Sequence, residues 1–377
     1  MSKSKVGINR ILNFGAGPGK IPVAVLAEVR NEFLNFENTG MSITEISHRS
    51  SEYSKINNEA QNAVKQLLSV PDNYKILFLP GGGQGMFSAI AMNLMNRTGS
   101  ADYVVAGIWS GLAAKEAAKY GTVNPVFPKP GKLGDIPDSK SWTLNPNASY
   151  LYYCDNETIE GIEFPFIPET RGSVPIVVDM ASNIMTRKFD VSKFGLIFAP
   201  VQKNLGTAGV VLAIIRDDLL GTPMKICPSV LNFTELANTN SILNTPPIFQ
   251  VYVTGKILQW INIQGGLKEM EKQCCQKSQL LYNAINQSNN FYECHVPENF
   301  RSRINVSFKI GGGNDNLEEK FVQEAEEHRI YQLRGHRLVG GIRVSLYNAV
   351  SYEDTETLVQ FMKNFQAKYQ NSIERHL

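Results

Sequence analysis

Short apolar runs alternate with stripes of helical period between residues 75 and 215, and this alternation constrains the chain more than any other feature. Strands are expected over 75–79 and 102–106. Each leads into a helical stripe, over 84–95 and over 110–120, the second closed by Gly121. Further buried-strand runs at 149–153, 175–179, 196–199 and 210–215 extend the series. Such βαβ order predicts one large, mostly parallel sheet covered by helices, since parallel neighbours need a crossover long enough to be a helix. Upstream, Pro22 at a first helical position, followed by Leu26, Val29, Phe33 and Phe36, predicts a helix over 22–36. A second is expected over 53–69, with Ile56, Ala60, Val64 and Leu67 or Leu68 facing inward.

After about Gln264 the texture changes to a long helical stretch containing Met270 and Leu280. A strand at 304–308, a helix at 317–327 and a strand at 342–346 follow, which reads as a smaller α/β domain. The run Gly311-Gly312-Gly313-Asn314 inside it is a turn. The expected division is a large domain over 16–264 and a small one over 265–377, with the segment 1–15 packing nearby. A chain of 377 residues is long enough for both cores.

Composition excludes several functions. A net charge of +2 gives no general polyanion surface, so no nucleic-acid partner is expected and any anion site must be local. The apolar runs are too short to span a bilayer, and the first ten residues hold no apolar segment of the length a secretory leader needs. Five cysteines (Cys154, Cys227, Cys274, Cys275 and Cys294) show neither metal-ligand spacing nor a disulfide framework. The expectation is a cytoplasmic chain with no metal, acting on small molecules.

Three clusters are suited to chemistry. The segment Leu77-Phe78-Leu79-Pro80-Gly81-Gly82-Gly83-Gln84-Gly85-Met86 runs from a strand through a glycine turn into a helix. Free N–H groups and the macrodipole at such a helix start suit a phosphate, though neither familiar nucleotide fingerprint fits and a plain tight turn is the alternative. Asp179 ends a buried strand, where ligand-facing side chains of open α/β sheets sit. Lys203 follows another strand twenty-four positions later (203 − 179). A lysine beside apolar strand residues either reaches water or has its pKa lowered, and then becomes a nucleophile. An acidic strand end together with such a lysine is what a pyridoxal phosphate enzyme needs, the carboxylate keeping the ring nitrogen protonated and the amine carrying the aldehyde. Taken singly, Asp179 could equally cap a turn, and Lys203 could be solvated. Gly335-His336-Arg337, Arg343 and the upstream Ser47-His48-Arg49-Ser50 offer guanidinium forks for a doubly anionic substrate, or simply a solvated surface. Trp109 is suited to stack on a flat ring, and equally to a core position.

With these residues the chain resembles the phosphoserine aminotransferases, especially the eukaryotic ones, almost end to end. The resemblance is carried by Asn13-Phe14-Gly15-Ala16-Gly17-Pro18, Ser47-His48-Arg49-Ser50-Ser51, the Gly81 to Phe87 turn and Asp155-Asn156-Glu157-Thr158. It continues through Asp190-Val191-Ser192-Lys193-Phe194-Gly195, Gln202-Lys203-Asn204, Asn244-Thr245-Pro246-Pro247 and Gly335-His336-Arg337 to Asn348-Ala349. The resemblance implies a fold-type-I pyridoxal 5'-phosphate transferase with a seven-stranded, mostly parallel sheet, usually a homodimer with shared active sites. It implies that Lys203 carries the cofactor and Asp179 meets the pyridine nitrogen. By the same token Trp109 stacks on the ring, Thr158 touches its hydroxyl, and Gly83, Gln84 and Gln202 hold its phosphate. Asn244 and Thr245 would reach that phosphate from the other subunit. His48, Arg49, His336 and Arg337 would hold a substrate phosphate, and Arg343 the substrate carboxylate.

The implied reaction converts 3-phosphohydroxypyruvate and L-glutamate to O-phospho-L-serine and 2-oxoglutarate by a ping-pong route, in L-serine biosynthesis. Departures from the family pattern are Gln84, Ala181 for a serine, Pro200-Val201 for a Gly-Ala pair, and Glu160 where close relatives have histidine. None removes a group that the chemistry requires. Rival readings are an alanine or serine:glyoxylate aminotransferase, a cysteine desulfurase, and a noncatalytic phosphometabolite-binding relative.

Overall fold

The computed structural model describes residues 10–128, 131 and 134–373, so most of the 1–15 segment expected beside the small domain lies outside the described residues. The seven-stranded sheet is ordered Tyr74–Gly81, Gly209–Arg216, Leu196–Pro200, Ile176–Asp179, Leu151–Cys154, Ser100–Val104, Thr122–Pro125. Only Gly209–Arg216 runs against its neighbours. Alternate residues of each strand enter two different apolar clusters. Phe78, Tyr153, Val178, Ile197 and Leu212 face one. Leu79, Tyr152, Val177, Phe198 and Val211 face the other. A sheet buried on both faces needs apolar side chains at both parities, which is why these strands read as continuous apolar runs.

Helices Ser51–Leu68 and Ile248–Ile263 cover one face through Ile56, Val64, Val251 and Leu258. Gly83–Leu94 and Ile108–Ala117 cover the other through Phe87, Ile90 and Ala113. The sheet thereby brings the C-terminal ends of Leu151–Cys154, Ile176–Asp179 and Leu196–Pro200 to one edge, with Asp179 in register with Cys154 and Phe198.

Several elements depart from the expected ones, the C-terminal helix Tyr352–Ile373 and the short helix Phe233–Asn238 among those not foreseen. The helix predicted over 22–36 is Val23–Glu32. Phe36 reaches the core instead from a 3₁₀ turn, Phe36–Asn38, in which Glu37 and Asn38 take positive φ, and this leaves Leu34 in solvent. The sheet's edge strand Thr122–Pro125 carries too few apolar residues to show as a run. Helix Ile248–Ile263 is buried on so many sides that no stripe marks it.

The chain beyond residue 265 forms helices Gly266–Asn286, Asp315–Glu327 and Tyr352–Ile373 around an antiparallel sheet of Tyr292–Glu293, Asn305–Ile310 and Ile342–Ser345. Its apolar cluster is separate and includes Phe14. Leu12–Asn13 pairs in parallel with Ile330–Tyr331. Buried Asn156 donates to Ser182 at 2.7 Å and to Asn305 at 2.8 Å, and Asn305 donates to Ser345 at 2.9 Å, so a polar seam joins the two parts. Among the described residues no group of side chains could hold a metal, and no helix is long and apolar enough to cross a membrane.

Phe321 is the hub of the small cluster, fully buried and in edge contact with Tyr292, Phe308, Phe361 and Phe365. Phe321→Ala is expected to destabilise this part by about 3–5 kcal/mol. The check is a downward shift of the urea midpoint followed by near-ultraviolet circular dichroism.

Candidate active site

The lysine loop follows directly from the strand Leu196–Pro200. Its backbone is fixed on both sides of the side chain. Leu205 N–H donates to the Val201 carbonyl at 3.0 Å, and Asn204 Nδ2 donates to the Ser182 carbonyl at 2.7 Å. The Lys203 side chain lies along one wall of a cleft with about 500 Å³ of open space, also lined by Gly83, Gln84, Trp109, Thr158, Asp179 and Gln202. Lys203 Nζ donates to Thr158 Oγ1 at 2.5 Å and stands 5.8 Å from the Trp109 ring centre. Removal from water lowers the Lys203 pKa, against the attraction of Asp179.

Asp179 is 4% exposed. Its Oδ1 accepts the Ala181 N–H at 2.8 Å, the two-residue side-chain turn that the bland reading of an aspartate predicts. Its Oδ2 accepts the Tyr152 hydroxyl at 3.4 Å. The same carboxylate lines the cleft, so turn cap and ligand-facing group are one residue. Burial pushes its carboxyl up to about 6, and the positive charge of Lys203 opposes that rise.

Opposite them, helix Gly83–Leu94 begins at Gly82 without a side-chain cap. Gly81 has φ +115°, and a Cβ added to Gly81, Gly82 or Gly85 would meet nothing within 4 Å, so the turn stands open toward the cleft side of the helix start. First-turn N–H groups of an uncapped helix are unsatisfied donors, and with the macrodipole they make an anion cradle.

Trp109 owes its place to two buried carboxylates. Glu157 accepts from the N–H groups of Trp109 (3.0 Å) and Ser110 (2.9 Å), and Glu160 from that of Ile108 (2.7 Å). They cap helix Ile108–Ala117, whose N-cap Gly107 leaves no room for a Cβ, which would sit 2.5 Å from Glu157 Cδ. Burial and the closeness of Glu160 raise the Glu157 pKa. The indole Nε1 of Trp109 is buried with no hydrogen-bond partner among the described residues.

The predicted substrate-binding residues are only partly gathered. Arg343, on the strand Ile342–Ser345, is near enough to Lys203, His336 and Glu160 to influence their charge. Desolvation lowers the His336 pKa first, and Arg343 and Arg337 lower it further. Arg337 is exposed. His48, Arg49, Asn244 and Thr245 lie outside the cleft lining, His48 and Arg49 in the turn before helix Ser51–Leu68 and Thr245 in solvent. Tyr152, Asn156, Glu157 and Phe87 take part in or line the site without having been singled out. Tyr152 and Asn156 read as strand and loop residues, and only the helical spacing from Gly83 to Phe87 offered a signal.

An amine of lowered basicity and a buried carboxylate stand at neighbouring strand ends, sharing one cleft with a glycine turn and a tryptophan on a fold-type-I α/β frame. Residues 11–358 match the family model for class-V aminotransferases. Phosphoserine aminotransferase of Drosophila melanogaster is 52% identical over 363 residues, covering 96% of this chain and 100% of that one. The solved phosphoserine aminotransferase from Bacillus circulans subsp. alkalophilus superposes with a TM-score of 0.92 at 40% identity, over 96% of this chain and 99% of that one. The enzyme from Trichomonas vaginalis, solved with PLP bound, gives 0.90 at 38% identity, over 94% and 100%. The chain belongs to the phosphoserine aminotransferases of the class-V aminotransferase family.

Because burial raises the Asp179 carboxyl, the folded chain holds that proton more tightly than the unfolded chain does. Its contribution to stability is therefore fully present below the unfolded value of about 4 and is lost as pH rises through about 6. Asp179→Asn keeps an acceptor for Ala181 N–H. In the ligand-free protein it is expected to add on the order of 2 kcal/mol at pH 8 and nothing measurable near pH 4. Urea unfolding at the two pH values checks this.

Proposed function

We propose that this protein transfers the amino group of L-glutamate to 3-phosphohydroxypyruvate, giving 2-oxoglutarate and O-phospho-L-serine, with pyridoxal 5'-phosphate held in the cleft. The observation that carries the reading is the Lys203 amine placed in one cleft with the Asp179 carboxylate, beside an open glycine cradle. The donor set fits the cofactor group by group. Lys203 would hold its aldehyde carbon, Asp179 its ring nitrogen, Trp109 one ring face and Thr158 its hydroxyl. Gly83, Gln84 and Gln202 would hold its phosphate. When bound, the cofactor supplies an electron sink conjugated to the carbon that takes up the amino group.

The protein's own groups do the rest. Lys203, with its basicity lowered by burial, is suited to take the proton from the substrate α-carbon and hold it at Nζ until it is returned. Thr158, within hydrogen-bond distance of Nζ, keeps that amine aimed into the cleft. Asp179, charged once a cation faces it, keeps the opposite end of the site negative. Arg343 would pair with the substrate carboxylate, and His336 and Arg337, with His48 and Arg49 from outside the single-chain cleft, would meet its phosphate, whose double charge suits bidentate guanidinium contacts.

We infer a homodimer in which Asn244 and Thr245 of the partner subunit reach the cofactor phosphate. The position of these two residues outside the cleft of a single chain supports it, as do the exposed apolar side chains of Leu34 and Ile263. We also read the chain as two domains, 16–264 and 265–377, with the N-terminal segment on the second. The separate small cluster containing Phe14 supports that division. A cytoplasmic location goes with a substrate of this kind.

A coupled assay offering glutamate with 3-phosphohydroxypyruvate, pyruvate or glyoxylate tests the reading. The phosphorylated acceptor is expected to react far faster, whereas equal rates would return the chain to a general transaminase. Arg337→Ala should lower kcat/KM for the phosphorylated acceptor about a hundredfold or more and leave the slow reaction with pyruvate little changed.

A further inference from the structure

Lys277 is a charged residue that the proposed reaction does not use. It is 2% exposed, on helix Gly266–Asn286. All three N–H groups of its ammonium are spent on backbone carbonyls of one turn, those of Leu346 at 3.1 Å, Tyr347 at 2.9 Å and Val350 at 2.7 Å. A buried lysine is costly unless something needs the charge, and here three carbonyls of one turn converge on it, that of Tyr347 also accepting the Val350 N–H at 2.9 Å.

That turn is tied at several points to the catalytic loop. It continues the strand Ile342–Ser345, which carries Arg343. The Asn348 N–H donates to Asn204 Oδ1 at 3.0 Å, one residue from Lys203, and Asn348 Nδ2 donates to the Met185 carbonyl at 2.9 Å. The Tyr347 hydroxyl donates to the Ala16 carbonyl at 2.6 Å, and nearby Gly19 N–H donates to the Gln202 carbonyl at 2.8 Å. The residues on either side of Lys203 are thus held, directly or through the segment Ala16–Gly19, by a turn whose carbonyls Lys277 gathers.

We propose that Lys277 is a positioning residue for the reaction: its ammonium fixes the turn 346–350, and through Asn348, Asn204 and Tyr347 it sets where Lys203 and Arg343 stand. This rests on the reading of Lys203 and Arg343 given above. The titratable groups that face Lys277 are Cys274 on its own helix, Asp354 on the C-terminal helix and Lys20 of the N-terminal segment, the last two paired with each other. Burial lowers the Lys277 pKa to about 8, and Lys20 adds to the fall while Cys274 and Asp354 oppose it. A neutral amine has two N–H donors, so above that value one of the three carbonyls loses its partner.

The test compares Lys277→Met and Lys277→Arg with the wild type, as holoenzyme for kinetics and without added ligand for amide hydrogen exchange. Lys277→Met is expected to lower kcat about ten- to a hundredfold, with a raised KM for glutamate. Exchange at Asn348 should quicken in the ligand-free protein while the sheet strands stay protected. Lys277→Arg, which restores several donors, should recover part of both. Wild-type activity is expected to fall as pH rises through about 8, and Lys277→Arg, whose guanidinium does not titrate there, should lack that fall. A Lys277→Met protein with wild-type kcat and wild-type Asn348 exchange overturns the proposal. If that variant does not fold, Asn204→Ala removes the side-chain acceptor of the Asn348 N–H with Lys277 in place, and there too unchanged kcat overturns it. Lys203→Ala run in parallel separates the two readings, because an active Lys203→Ala sinks the site assignment itself, whereas an inactive one beside a normal Lys277→Met sinks only this proposal.

Discussion

An amine and a carboxylate withdrawn from water at the ends of adjacent strands are the arrangement around which this structure is organised. Each would be costly to bury alone, and each offsets part of the other's penalty, since Lys203 holds the Asp179 pKa down while Asp179 holds that of Lys203 up. The pairing of Asp179 with Phe198 fixes one end of this arrangement, and the pinned loop after Pro200 fixes the other. Neither position could be kept by a flexible surface loop, because two charges left free to relax would reach for solvent. The sheet buried on both faces is what denies them that.

The departures from the family pattern fit this frame. Ala181 gives Asp179 a backbone N–H, so a side-chain hydroxyl at that position is not needed for the turn. Pro200 is the last residue of its strand, paired with Val211, and its ring lies 3.6 Å from where a Cβ on Gly83 would stand, so it packs against the cradle. Glu160 replaces a histidine with a carboxylate at a helix N-terminus, where the macrodipole favours negative charge, and it takes the Ile108 N–H. With Glu157 it makes the support of Trp109 a doubly acidic one, and burial raises the pKa of both carboxyls.

Much of this was legible in the sequence, for identifiable reasons. The six apolar strands showed themselves because a doubly covered sheet demands apolar residues at every position, and the strands Ile176–Asp179 and Leu196–Pro200 placed Asp179 and Lys203 at one edge. Edge strand Thr122–Pro125 and the all-round buried helix Ile248–Ile263 lacked the periodicity that single-sequence reading relies on. The glycine turn announced a possible anion site, but only the fold shows its opening beside Asp179 and Lys203. Carboxylates acting through backbone N–H groups, such as Glu157, leave no pattern at all, because their partners, 47 and 48 positions away, are set by tertiary structure.

The single reversed strand, Gly209–Arg216, separates the strand that leads into the glycine cradle from the strand that leads into Lys203. Cradle and lysine are therefore remote in sequence and not even neighbours in the sheet, yet they share one cleft. Any molecule that grips both becomes a clasp across the reversed strand, fastening early-made and late-made parts of the chain. Occupancy would then resist opening of the whole large unit rather than of one loop, and the saturated protein should outlast the empty one against heat or protease by mass action alone.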